Sequence, residues 1–235
     1  VFTYFLVFIL TENRLSALLS GIIFAFCPYQ FVRIWQHLGL SYNQWMPLVL
    51  FFAILLKIKP SRKNSLFFLL GILLAFSFDF SVMYLTAVLL LIFMVYSFFY
   101  GWRKKFFAEK YVLREDLRYI LQITVLLIIA SVIFFPQFYP IIKKMFISSA
   151  TMASAHNPYH RAFEDLFAQS AKPLSYFLPA VMHPVFGKFT EQFIGSQLYG
   201  ESLTEHTLYL GWLPLILAFV AFRRWRKRGD FYIGF

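Results

Sequence analysis

Long apolar runs separated by short polar segments dominate the hydropathy pattern of the chain. Crossing a bilayer as a helix takes about 20 mostly apolar residues, and a helix satisfies the backbone groups that lipid cannot. The pattern predicts seven spans, of which the first is truncated: 1–10, 15–32, 39–56, 65–80, 82–100, 119–139 and 207–222. A further apolar run begins at Phe231.

Composition agrees with this pattern. Hydrophobic residues make up 60% of the 235 residues, charged residues only 14%, and the mean hydropathy is +0.66. Such a chain has too little polar surface to form a soluble globule. The single Cys27 excludes an intramolecular disulfide and a cysteine-built metal site. We therefore expect an all-α polytopic membrane protein with about seven transmembrane helices and additional amphipathic helices lying at the outer interface.

The formal net charge of +11 falls on one side of the predicted membrane. Assigning the loops alternately to two sides places sixteen basic and five acidic residues on one side, and six of each on the other. The positive-inside rule makes the basic side cytoplasmic. We predict an integral, multi-pass protein of the plasma (inner) membrane, in which the basic loops need no nucleic acid as a partner.

The same alternation divides the chain into three parts. Residues 1–136 are predicted to be transmembrane helices with short loops, 137–206 an outer loop with an amphipathic helix, and 207–235 a span, a basic cytoplasmic loop and the start of a truncated span. The segment 24–50, a turn at Asp79 and the loop 137–206 then share the outer face. Because Val1 is not Met and lies within an apolar run, we expect an internal part of a longer protein.

The segment 24–50 interrupts two apolar runs with polar side chains. Phe31, Ile34 and Trp35 recur at helical spacing, whereas Arg33 and His37 fall largely elsewhere, as in a helix lying in the membrane interface. One interpretation is a re-entry that merely turns the chain. The other is that Arg33 and His37 line a groove for a phosphate or a sugar, because the planar guanidinium donates hydrogen bonds in pairs.

A second amphipathic helix is predicted after Asn157, an N-cap followed by Pro158. His160 and Arg161 lie on its polar face, where they could reach an anionic lipid head. The alternative is a weak solvated pair between Arg161 and an acid three or four residues later, Glu164 or Asp165.

Three outer acids are candidates for chemistry, namely Asp79, Glu201 and Glu205. Asp79 stands alone between two spans, and a carboxylate near membrane depth is a functional hypothesis unless a turn brings it to the interface. Ser202 and Glu205 have the spacing of a capping box, which explains Glu205 without catalysis. The five histidines have no metal-ligand spacing, and no motif of soluble-enzyme chemistry occurs.

The order of several segments resembles the GT-C superfamily of membrane glycosyltransferases, in particular a bacterial and archaeal branch related to the dolichyl-phosphate-mannose type. The segments are GIIFAFCPYQFVR, HLGLSYNQWMPL, FPQFYP, HRAFEDLFAQSAKPLSYFLP and EHTLYLGWLPL. The resemblance runs from about Arg14 to Phe222. Each motif is degenerate and apolar, and their order carries the likeness.

This resemblance implies inverting transfer of a sugar from a polyprenyl-phosphate-linked donor to an acceptor on the outer face. Its partners would be that donor and the membrane lipids. In such enzymes an acid in the first outer loop acts as base or binds a metal, and basic outer residues hold the lipid phosphate. Arg161 comes first for the phosphate, followed by His160, Arg33 and His37. The catalytic acid is expected upstream of this chain, which leaves open a divalent metal such as Mg²⁺ or Mn²⁺.

Two other classes of function remain open from the sequence. A transporter or flippase of lipid-linked glycans would use similar helices, but would normally carry several ionisable or kinked positions at mid-span. Asp79 is the one borderline case of this kind. A non-catalytic membrane assembly factor also fits the degenerate outer motifs.

Overall fold

The structure is a computed structural model that describes residues 1–36, 38–107, 113–150, 167, 170–181, 183–196, 198–199 and 208–228. Within these ranges the regular structure is helical and no strand occurs. The α-helices are α1 (Phe2–Thr11), α2 (Arg14–Ala25), α3 (Pro28–Gln36), α4 (Leu38–Ser41), α5 (Trp45–Ile58), α6 (Arg62–Phe78), α7 (Phe80–Phe107), α8 (Leu113–Ala150), α9 (Gly187–Glu191) and α10 (Trp212–Arg228), with a 3₁₀ helix at Pro173–Tyr176. The predicted all-α class is confirmed.

Polar residues mark where the helices begin. The side chain of Asn13 accepts a hydrogen bond from the Ser16 amide at the start of α2 (3.0 Å), and Ser61 accepts one from the Asn64 amide at the start of α6 (3.1 Å). Both satisfy an amide that has no partner within its own helix. Pro28 opens α3, where its fixed φ and missing N–H are tolerated.

Among the described residues, four segments are long and apolar enough to cross a membrane, where the pattern of the whole sequence predicted seven. They are Arg14–Trp35, Leu38–Ile58, Ser81–Phe99 and Leu117–Pro140. The apolar helices Phe2–Thr11 and Trp212–Arg223 are shorter, and α6 has 17 residues. Ten helical residues extend only about 15 Å, about half of the hydrocarbon thickness. Several helices thus have the length and character expected of a membrane protein.

Some helix boundaries differ from those predicted. The span expected at 15–32 is divided into α2 and α3, because Pro28 starts a new helix after a turn at Phe26. The outer loop expected from residue 137 begins inside α8, which continues through Pro136 and Pro140 to Ala150. A proline removes one backbone hydrogen bond, but long apolar helices tolerate it.

The chain divides into two compact units. The first comprises Val1–Phe26, His37–Ser131 and Ile216–Phe235, and the second Cys27–Gln36 and Val132–Leu215. In the first unit α5 packs against α1, α6 and α7. Its fully buried large side chains include Ile54, Leu56, Phe68, Ile72, Leu90 and Phe93. Each long helix also exposes large apolar side chains, which is the surface expected toward lipid.

Trp212 organises the irregular part of the second unit. Its Nε1 donates a hydrogen bond to the Phe177 carbonyl oxygen (2.9 Å), and its amide donates one to Tyr209 Oη (3.1 Å). Its ring centroid lies 5.0 Å from that of Phe186. The proline-containing stretches KPLSYFLP and HPVFG, residues 172–179 and 183–187, form turns and short helical pieces here.

Candidate functional site

Helix α3 exposes three large apolar side chains, Phe31, Ile34 and Trp35, and buries two polar ones, Gln30 and Arg33. Trp35 is 72% exposed and Phe31 60%, whereas Arg33 is only 4% exposed and Gln30 7%. Water would favour the opposite arrangement, while lipid favours apolar groups outside. The predicted amphipathic helix is present, and its exposed face has the character of a lipid-facing surface.

Arg33 lies on the buried face of α3 against an aromatic ring. Its guanidinium carbon is 5.2 Å from the centroid of the Tyr29 ring, one helical turn earlier. A cation at this distance from an aromatic face is stabilised by the ring quadrupole, and more strongly where water is excluded. A buried guanidinium also calls for negative or hydrogen-bonding partners. The Arg33 guanidinium has partners within the protein, and the Tyr29 ring is one of them.

Asp79 acts as a cap between α6 and α7. Its backbone is extended, its Oδ1 accepts a hydrogen bond from the Ser81 amide (2.7 Å), and its carbonyl oxygen accepts one from the Met83 amide (3.0 Å). This is the N-cap arrangement. The other carboxylate oxygen lies against Gly39, where an added Cβ would overlap it and lie 2.8 Å from Cγ. Asp79 thus has a structural role that needs no catalysis.

The other predicted site residues lie outside the described residues: His37, His160, Arg161, Glu201 and Glu205. The amphipathic helix expected after Asn157 and the capping box at Ser202 lie there too, apart from the helical, exposed Phe167 and the bend at Ser170. Arg33 belongs to the second unit and Asp79 to the first, so each is described within its own unit. Within the described part of the chain, no group of three or more His, Cys, Asp or Glu side chains could hold a metal ion.

The sequence reasoning missed a basic cavity in the first unit. Its volume is about 700 Å³, and it lies where α5 ends and α6 begins, beside the early turns of α8. Three cationic side chains line it, those of Lys57, Arg62 and Arg118. The predicted spans placed these residues in the basic loops between them. Ser65 and Gln122, polar residues inside apolar helices, were the signal that could have revealed it.

Hydrogen bonds fix the polar floor of this basic cavity. Gln122 Nε2 donates to Ser65 Oγ (2.7 Å), and Ser65 Oγ donates to the Ser61 carbonyl oxygen (3.0 Å). Tyr119 Oη donates to the Ala53 carbonyl oxygen (2.6 Å), and Lys57 Nζ lies 5.5 Å from the centroid of the Tyr119 ring. Contacts among α5, α6 and α8 therefore hold the lining groups in place.

No protein-family model matches the chain, and no curated protein or solved structure shows significant similarity to it. The residues and their geometry are therefore the basis for a functional conclusion.

Proposed function

We propose that this chain belongs to a membrane glycosyltransferase, which moves a sugar from a polyprenyl-phosphate-linked donor to an acceptor on the outer face of the membrane. The observation that carries the proposal is the buried Arg33 on a helix whose exposed face is apolar. The motif order that resembles the GT-C superfamily supports the same function. The proposal includes seven spans, with the basic loops on the cytoplasmic side of the inner membrane.

The chemistry of the donor matches the two faces of α3. A polyprenyl-phosphate sugar keeps its tail in the bilayer and its phosphate at the interface. The exposed Phe31 and Trp35 suit the first polyprenyl units, and the guanidinium of Arg33 suits the phosphate, to which it can donate two parallel hydrogen bonds. Both parts of the donor would thus be bound by one short helix.

The proposed reaction is a single displacement at the anomeric carbon. An acceptor oxygen forms the new bond to that carbon while the bond to the phosphate oxygen breaks, and polyprenyl phosphate leaves with the electron pair. A carboxylate takes the proton of the acceptor hydroxyl. Arg33 would stabilise the charge that develops on the leaving phosphate. Glu201 and Glu205 are the candidates for the base within this chain, since Asp79 serves as a helix cap.

Among the rival functions, none gains support from the described residues. A transporter was expected to carry several ionisable or kinked positions at mid-span. The borderline Asp79 serves as a helix cap, and Pro136 and Pro140 lie near the end of the candidate span Leu117–Pro140 rather than at its middle. An assembly factor has only the degenerate outer motifs in its favour.

The test is release of polyprenyl phosphate by the complete protein in proteoliposomes, with a panel of polyprenyl-phosphate hexoses and pentoses. A membrane extract supplies the acceptor, so the release of polyprenyl phosphate can be measured without knowing which acceptor is used. Arg33→Ala should lower turnover by about 100-fold, because a donor aimed at the developing charge is lost. Arg14→Ala is the matched control, since Arg14 is exposed at the start of α2. Equal turnover of both variants would overturn the proposal, as would translocation of the labelled lipid without sugar release.

A further inference from the structure

We propose that the basic cavity bounded by α5, α6 and α8 binds the phosphate-bearing headgroup of an anionic membrane lipid. This site is separate from α3 and does not depend on sugar transfer. Three cations, Lys57, Arg62 and Arg118, line it, and none of the described residues that line it is acidic. Clustered cations at the end of membrane helices are typical of sites for anionic lipid headgroups.

The cavity lies at the level where headgroups are expected. Two of the four candidate spans end beside it, since Leu38–Ile58 ends at Ile58 in its lining and Leu117–Pro140 begins directly before Arg118. The two candidate spans are the parts of the chain expected to lie in the hydrocarbon core. The level at which both of them end therefore marks the membrane interface. A ligand in this cavity is therefore within reach of the phosphates of the lipid layer.

Size and polarity fit a headgroup better than a single phosphate ion. A cavity of about 700 Å³ falls within the range of small-molecule sites and exceeds the needs of one phosphate. Its floor offers the Gln122 amide and the Ser65 hydroxyl, which suit glycerol hydroxyl groups. The cations would then bind the phosphate and the floor would bind the polar remainder of the headgroup.

Exposed apolar side chains on the helices that bound the cavity favour a lipid as the source of this phosphate. Leu66 follows Ser65 on α6, and Leu121 precedes Gln122 on α8, and both are exposed. Leu117, next to Arg118, is also exposed. A free phosphate would not bury these apolar side chains, whereas the acyl chains of a lipid can pack along them. The exposed apolar surface of α6 and α8 therefore suits the acyl chains of a lipid whose headgroup is bound in the cavity.

The test measures binding of single phosphatidylglycerol molecules to the complete protein in non-ionic detergent by native mass spectrometry. Detergent is used instead of a bilayer because every surface cation attracts an anionic membrane, which would mask binding at the cavity. Losing one cation near the headgroup should weaken binding about fivefold. The double variant Arg62→Gln/Arg118→Gln loses two cations, so it should weaken binding by about 30-fold. The matched control is Lys59→Gln/Lys63→Gln, which removes the same charge from residues that do not line the cavity. It should change binding by less than about threefold.

Three outcomes would overturn the proposal. They are equal losses in the two double variants, equally tight binding of phosphatidylcholine, or inorganic phosphate that binds alone as tightly as phosphatidylglycerol. The last would assign the cavity to a soluble ion. Because Arg118 is exposed, Arg118→Gln alone should keep the fold, as thermal unfolding would show, and lower binding about fivefold. The pair Arg62→Lys/Arg118→Lys should keep binding, because exposed cations act here as point charges.

Discussion

Two basic sites in this chain present their cations in opposite ways. Arg33 is buried on α3 and lies against Tyr29, whereas Arg62 and Arg118 are exposed around the basic cavity. Burying a guanidinium costs free energy that a specific partner must offset, while an exposed cation needs none. In the two proposals, the buried site would bind one lipid phosphate in a fixed geometry, and the exposed site would bind abundant anionic lipids that exchange.

Asp79 differs from both basic sites because its charged side chain has a structural role. Disturbing its contact with Gly39 is expected to have the largest effect on stability. Gly39→Ala should destabilise the protein by about 1–3 kcal/mol, because the new methyl overlaps the carboxylate. Gly21→Ala is the control, since its Cβ would meet Tyr4 at an ordinary 3.7 Å. Thermal unfolding in detergent measures both, and equal midpoints would contradict the packing described for Asp79.

Exchanging arginine for lysine separates the two basic sites. Arg33→Lys keeps the charge but loses the paired donors, so transfer should fall by about tenfold. The same exchange at Arg118 should change lipid binding by less than about twofold, because an exposed cation acts through its charge. Turnover of the polyprenyl donor and native mass spectrometry of phosphatidylglycerol measure the two effects. Full turnover of Arg33→Lys would show that Arg33, like Arg118, acts through its charge alone.

Asp79 itself tests whether a cap or a catalytic group is present between α6 and α7. Asparagine caps a helix as well as aspartate, so Asp79→Asn should fold and keep its transfer activity, whereas Asp79→Ala should lose about 1 kcal/mol of stability. Unfolding midpoints and turnover are measured on both variants. A folded Asp79→Asn protein without activity would show instead that the carboxylate takes part in the reaction.

The smallest expected effect is that of ionic strength. It distinguishes the exposed cations of the basic cavity from the buried Arg33. Raising ionic strength from about 50 mM to about 500 mM should weaken phosphatidylglycerol binding at the basic cavity by about fivefold, because exposed charges are screened. The KM for the polyprenyl donor should change by less than about twofold, since buried charges are screened much less. Equal salt dependence of the two measurements would argue against a buried role for Arg33.

Much of the fold follows from the sequence, because its strongest signal is apolar character over long stretches. Each apolar run predicted to be a span is mainly helical over its described residues, although residues 208–211 are not. Asn13 and Ser61 mark helix starts as their side chains suggest. Boundaries were less predictable. Pro28 starts a helix and divides a run, whereas Pro136 and Pro140 lie within one, because the effect of a proline depends on its position in the helix.

The candidate sites were predictable only where they are local in sequence. The spacing of Phe31, Ile34 and Trp35 revealed the amphipathic character of α3 and placed Arg33 off its apolar face. The basic cavity is built from the ends of three helices, and the packing that joins Ser65 to Gln122 across 57 positions has no local signature. The predicted roles of His37, His160, Arg161, Glu201 and Glu205 stay predictions.

The most direct test of the central claim is photo-crosslinking of a polyprenyl phosphate that carries a diazirine beside its phosphate. The complete protein would be labelled in proteoliposomes, digested and mapped by mass spectrometry. The account predicts that labelled peptides contain Pro28–Gln36, and that Arg33→Ala lowers this labelling by about tenfold or more. Labels concentrated around Ser65 and Gln122, or unchanged by Arg33→Ala, would contradict it.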